Sequence, residues 1–178
     1  MTCRFPAVLA VLLARAALAA DPAPDVPELK VLNHYVGRWT GELTTKPVGT
    51  VPGGTSKGSS QSEWVHDGRF VRQTWTLDGG PTFPKMSGST MMTYDPGRKT
   101  YRGWTFFSNG HTSESTGTWD ARTRTMTWSA RDAHTGLTTT TTATFTADGT
   151  TEQWTIVEKD RAGKVVGDTS GTNTRKKE

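Results

Sequence analysis

Leu29, Leu32 and Val36 recur at helical spacing within "ELKVLNHYVG", and Gly37 follows as a stop. The spacing predicts one short helix. Beyond Gly37 the period changes to that of strands. Segments rich in Thr, Trp, Phe, Tyr and Val alternate with turn residues. Strands are predicted at 38–46, 60–66, 69–77, 87–94, 99–108, 111–119, 124–131, 137–146, 151–158 and 165–175. "HDGRF", "SNGHT" and "ADGTT" carry Asp-Gly or Asn-Gly, which supply the positive φ of tight hairpins. "YDPGRKTY" and "KDRAGKV" read as slightly longer turns. Residues 47–60 and 78–85 read as long loops, with "PGGTSKGSS" as a flexible stretch. The run "TTTTT" at 138–142 is β-branched strand with polar tips.

About ten sequential strands with short turns pair neighbour with neighbour. Left open, such a meander exposes two adhesive edges; closure removes both. The expected fold is all-β: an antiparallel up-and-down barrel with a short N-terminal helix. Alternate residues line a barrel's interior. On the first strand that sets Trp39, Gly41 and Leu43 inward, and Arg38, Thr40, Glu42 and Thr44 outward. Trp39 then lies where the helix arrives and closes the barrel floor.

A short helix followed by Gly-x-Trp resembles the calycin superfamily of lipocalins and fatty-acid-binding proteins. In lipocalins a basic side chain at the end of the last strand packs across that tryptophan. "GTNTRKK" places Arg175 for this role. A guanidinium over an indole stabilises by about 0.5–2 kcal/mol. Five stretches, "LNHYVGRWTGEL", "WVHDGRFVRQTW", "GSTMMTYDPGRKTYRGW", "GTWDARTRTMTW" and "GTNTRK", together resemble the bacterial domain-of-unknown-function family 1579 over 28–177. That resemblance implies a calycin-like barrel and an exported protein, and carries no catalytic residues.

The first residues change the picture of what folds. "MTCRFPAVLAVLLARAALAADPAP" has a positive start at Arg4, an apolar run and an Ala17-Leu18-Ala19 cleavage signal. Residues 1–19 are expected to be a signal peptide, 20–27 a proline-rich lead, and 28–178 a single barrel domain in the periplasm or secreted. The only cysteine, Cys3, leaves with the leader. No disulfide or thiolate chemistry remains to the mature chain. Arg4 and Arg15 also leave, so the net charge of +4 falls by two. That is no nucleic-acid footprint, and the tail "TRKKE" reads as a solvated terminus. No membrane span is expected, and the barrel is expected to be monomeric.

The mature chain is rich in tryptophan. Trp64, Trp75, Tyr94, Tyr101, Trp104, Phe107, Trp128 and Trp154 are the candidates to line a cavity for an apolar or amphipathic ligand; plain core filling is the alternative. On strand 99–108, Tyr101, Thr105 and Phe107 share one face and Arg102, Trp104 and Phe106 the other. Arg102 prefers water, which favours Tyr101, Gly103 and Phe107 inside. His34, His66, His111 and His134 show no metal-ligand spacing; Asp132 with His134 is the nearest to a pair. Nitrobindins are ten-stranded barrels with a similar opening motif and an axial histidine late in the chain. Nothing here follows His134, so no haem or other cofactor is expected. His111 and Glu114 lie three apart on a strand and face opposite sides, which disfavours a dyad. The expected role is binding a small apolar ligand. The alternatives are a barrel enzyme of isomerase or lyase type, or a structural module with its function on loops 47–60 and 78–85.

Overall fold

The computed structural model describes residues 26–49, 52–80, 84–132 and 135–177. The expected leader and His134 lie outside the described residues. A 3₁₀ helix, Pro27–His34, precedes ten strands: β1 (Gly37–Thr45), β2 (Gly54–Val65), β3 (Phe70–Leu77), β4 (Met86–Asp95), β5 (Thr100–Phe107), β6 (Thr112–Asp120), β7 (Thr125–Arg131), β8 (Thr138–Phe145), β9 (Thr151–Lys159) and β10 (Val165–Arg175). Each strand pairs antiparallel with its neighbours in sequence, and β1 pairs with β10. The sheet is a closed, calycin-like ten-stranded barrel. Among the described residues no helix is long and apolar enough to cross a membrane.

The short helix is present, and it is 3₁₀. Leu29, Leu32 and Tyr35 are spaced by three, the period of a 3₁₀ helix, and this face packs onto the barrel end. One expectation about the strands needs correction: residues 54–60 are strand, not flexible loop. The segment lacks an apolar face, so its period is silent. Its small side chains are instead held between β1 and β3, where Gly58 opposes both Gly41 and Leu77. Ser56 is buried and donates to the Gly79 carbonyl (3.0 Å). The other strands fall within one residue of their predicted ends.

The turns follow their chemistry. His66, Asp67 and Gly68 all take positive φ (52°, 56° and 74°). Asp95, Asp120, Asp148 and Asp160 each accept a backbone N–H from the turn they begin.

Register sets the two faces of the wall. Trp39 pairs with Ser60 and Arg175, Ser60 with Trp75, Trp75 with Gly88, and Gly88 with Phe107. Carried round the barrel, the same parity puts Tyr101, Gly117, Trp128, Thr141, Ile156 and Thr169 inside. This inner face has two tiers. At the helix end Trp39, Val71, Met92, Tyr101, Met126, Ala143 and Phe145 are at most 4% exposed, and Leu32 and Tyr35 rise into them from the helix. Above this floor Leu43 and Ser56 are buried, while Gln73, Trp75, Thr105, Trp128, Trp154 and Ile156 are only half-buried.

Candidate functional site

The floor is built first. Gly37 (φ 114°) turns the chain from the helix into β1. Trp39 donates its indole N–H to the Tyr35 carbonyl (2.9 Å). The Arg175 guanidinium lies over the Trp39 ring, 4.5 Å from its centroid. The same guanidinium donates to the carbonyls of His34, Val36 and Gly149. It thereby satisfies carbonyl groups that the helix end leaves free. His34 stacks on Trp119 (5.0 Å) and Phe145 (5.1 Å). Burial, then Arg175 and Arg124, hold its imidazole below the usual pKa.

The wall above the floor owes its shape to glycine. Gly88, Gly117 and Gly171 stand directly opposite Trp75, Trp128 and Trp154. A Cβ on any of the three would lie 2.4–2.7 Å from the facing indole. Each ring therefore lies across a bare backbone, against the wall rather than across the lumen. Leu43, Gln73 and Ile156 are the larger side chains on the remaining inner surface at this level, and Ser60, Thr90, Thr105, Ser113 and Thr141 supply much of the rest. Such short side chains cannot fill a ten-stranded barrel. Trp75, Trp128 and Trp154 are accordingly less buried than the floor.

The cavity candidates thus separate into three groups. Trp75, Phe107, Trp128 and Trp154 face the lumen; Trp75 meets Phe107 edge-on at 5.5 Å. Trp64, Tyr94 and Tyr101 face inward but belong to the floor. Trp64 donates to the Asn33 side chain (2.8 Å), and Tyr101 to the Glu28 carbonyl (3.0 Å) while packing on Tyr94. Burial pushes the Tyr101 hydroxyl up to about 12. Trp104 is the correction: it faces outward, under the Arg102 guanidinium (4.9 Å), and Arg102 is paired with Glu114. With an aromatic residue on both faces of β5, the placement of that ion pair in water decides which face is outside.

Trp104, Phe70, Met91 and Phe106 form an apolar hollow of about 450 Å³ on the outer wall. A larger, hydroxyl-floored groove of about 710 Å³ lies beside it, between Arg38, Lys176 and Phe106. Both are shallow and open. Neither is enclosed, and enclosure is what buries most of a small ligand's surface.

Polar residues not foreseen lie at the junction of floor and lumen. Glu152 on β9 faces inward and is 9% exposed. Asn173 on β10 donates to its Oε2 (2.7 Å). Burial pushes the carboxyl up, against the downward pull of that hydrogen bond. Tyr35 is buried nearby; burial and then Glu152 raise its hydroxyl, which accepts from the Trp128 indole (3.0 Å). The indole N–H of Trp154 is buried without a partner. The signal for Glu152 was present in "EQWTIVE". Period-two alternation sets it on the face of Trp154 and Ile156, where a carboxyl is unexpected.

Among the described residues no three His, Asp or Glu side chains gather as a metal site. His66 sits in a turn against Phe70, and His111 lies 3.8 Å from Asp132, away from Glu114.

In fold the barrel is similar to the S-type phycobiliprotein lyase CPES from Guillardia theta, with a TM-score of 0.61 and 13% identity, covering 84% of this chain and 92% of that one. It is also similar to Rv2717c from M. tuberculosis, with a TM-score of 0.65 and 13% identity, covering 85% and 99% of the two chains. At this identity the likeness shows the fold alone. No curated protein matches the chain. The model of the family described as "Protein of unknown function (DUF1579)" matches residues 26–162, most of the chain, and the protein belongs to that family.

Proposed function

We propose that the barrel binds a small, flat, apolar or amphipathic molecule in its lumen. The observation that carries this reading is the tier of indoles laid against glycines above a buried floor. It leaves an aromatic wall only partly buried, less so than the floor beneath it. A ligand that covers this wall gains about 25 cal/mol per Å² of apolar surface removed from water. Lost translational freedom and ordering oppose that gain.

The test is saturable quenching of tryptophan emission by a panel of aromatic and aliphatic amphiphiles. Phe107→Glu places a charge in the lumen and should weaken binding at least tenfold. Trp104→Glu, on the outer wall, should leave affinity unchanged. Absence of saturable quenching across the panel, or equal loss in both variants, would sink the reading.

One observation favours a second reading. A buried acid against a bound molecule can serve as a general acid, as in a barrel enzyme of isomerase or lyase type. Its mark is conversion of a bound ligand, detected by mass spectrometry, that stops in Glu152→Gln; a ligand recovered unchanged argues against it.

We further propose that the protein is exported, on the composition of residues 1–19. Terminal sequencing should find the mature chain starting at Ala20. A chain that still begins at Met1 removes the assignment.

A further inference from the structure

Among the described residues Glu152 is the only buried carboxylate or carboxylic acid. It stands on the inner face of β9, between Phe145 of β8 and Asn173 of β10. Asn173 is itself held in place: its Oδ1 lies only 2.2 Å from where a Cβ on Gly41 would be, so the amide packs on bare β1 backbone. Its Nδ2 binds Oε2 of Glu152, and no hydrogen bond to Oε1 is found among the described residues.

Among the described residues no cation is paired with the carboxyl. Arg175, one inward position beyond Asn173, spends its guanidinium on three backbone carbonyls and on Trp39. His34 is stacked between Trp119 and Phe145. Arg124 donates its Nε to the Phe145 carbonyl, and the Tyr35 phenol faces this space from the helix below. Glu158 lies further up the same face of β9, against Gly167. Oε1 is not among the side-chain atoms buried without a partner, so it keeps access to a further hydrogen-bonding group. Burial without a cation favours its neutral form, which carries an O–H donor.

We infer that Glu152, oriented by Asn173, is the polar anchor of the lumen and donates a hydrogen bond to a carbonyl or carboxyl oxygen at the head of the ligand. This rests on the lumen-binding reading. The next inward position on β9 is Trp154, about 7 Å further along the strand. A molecule with its head on Glu152 therefore lays its flat body along the Trp154 indole. The ligand class is an amphiphile with an oxygen acceptor at one end, inserted head-first toward the floor.

The test uses three probes of one shape: 2-acetylnaphthalene, 2-ethylnaphthalene and 2-naphthylmethylammonium. Binding to wild type, Glu152→Gln and Glu152→Leu is measured by equilibrium dialysis, with near-ultraviolet circular dichroism to confirm native packing. The ketone should bind wild type at least tenfold tighter than the hydrocarbon. Glutamine keeps an N–H donor, so the ratio should persist in Glu152→Gln. It should fall to about one in Glu152→Leu, with hydrocarbon affinity retained.

Equal binding of ketone and hydrocarbon by wild type overturns the anchor and leaves lumen binding standing. So does a ratio that survives in Glu152→Leu. Preference for the ammonium probe, lost in Glu152→Gln, overturns it in favour of an ionised carboxylate. Failure of wild type to bind any of the three overturns the anchor together with the lumen reading.

Discussion

Glu152 and His34 stand close to the same floor and answer pH in opposite senses. Burial raises the Glu152 carboxyl above its ordinary 4.5. Below that value both folded and unfolded chains hold the proton, and the group contributes nothing. As pH climbs from 4.5 through the raised folded value, the unfolded chain releases its proton first. Stability falls across that window and stays lower above it. His34 is depressed below 6.5 by burial and by Arg175 and Arg124. The unfolded chain takes up its proton first as pH falls below 6.5, so this contribution is lost toward acid. Glu152→Gln isolates the first effect. Its melting temperature relative to wild type should be flat below pH 4.5 and rise from there until pH passes the raised folded value. In a domain of this size each kcal/mol of that gain moves the melting temperature by about 2–4 °C. Thermal melts of both proteins from pH 4 to 8 read it directly; a constant difference across the range would mean the carboxyl is not held neutral by the fold.

Between neighbouring strands the unit that matters is the glycine–tryptophan pair. Gly117→Ala puts a methyl 2.7–3.1 Å from three atoms of the Trp128 ring. The ring must tilt off the wall and into the lumen. Overpacking of this kind costs about 1–3 kcal/mol, and ligand affinity should fall with it. Gly97→Ala, whose new methyl meets only the Asp95 carboxylate at 3.3 Å, serves as the control. Urea midpoints and quenching titrations of the two variants should differ; matching behaviour would mean the indoles do not need bare backbone beneath them. These pairs mark the boundary of what the sequence makes legible. Strand ends, hairpins and the Trp39–Arg175 closure follow from local alternation, turn residues and one motif. Which tryptophan lies over which glycine follows only from register between strands, a long-range property. β5 was ambiguous because aromatics occupy both faces. The first half of β2 was silent because Gly, Ser and Thr give no period. Glu152 is hard to read because a carboxyl between Thr151 and Gln153 suits solvent until the alternation through Trp154 is taken literally.

At the scale of the whole molecule, the barrel has no edge strand because its first and last strands pair. That pairing joins Trp39 to Arg175 and Thr45 to Thr169, across nearly the full described chain. Its loop-closure entropy must be met before the contact gives anything back. Once made, it removes two sheet edges and seats Arg175 over the floor at the same time. Floor and closure are therefore coupled. The helix cannot cap a barrel that is open, and the last turn of β10 hydrogen-bonds both β1 and the 149–150 turn, through Lys176 to Arg38 and Arg175 to Thr150. Truncation after Lys164, which removes β10, should not give a barrel with one frayed strand. It should expose the inner and outer hydrogen-bonding edges of β1 and β9 together with the apolar inner wall. Sedimentation velocity should show self-association, and urea titration followed by tryptophan emission should lose its cooperative transition. Arg175→Ala keeps the strand and removes only the guanidinium. It should unfold in one cooperative step at a lower urea midpoint, by about 0.5–2 kcal/mol for the cation over the indole plus the carbonyls left without their donor. A monomeric truncated chain that still unfolds cooperatively would show that closure adds stability to a sheet already complete without it.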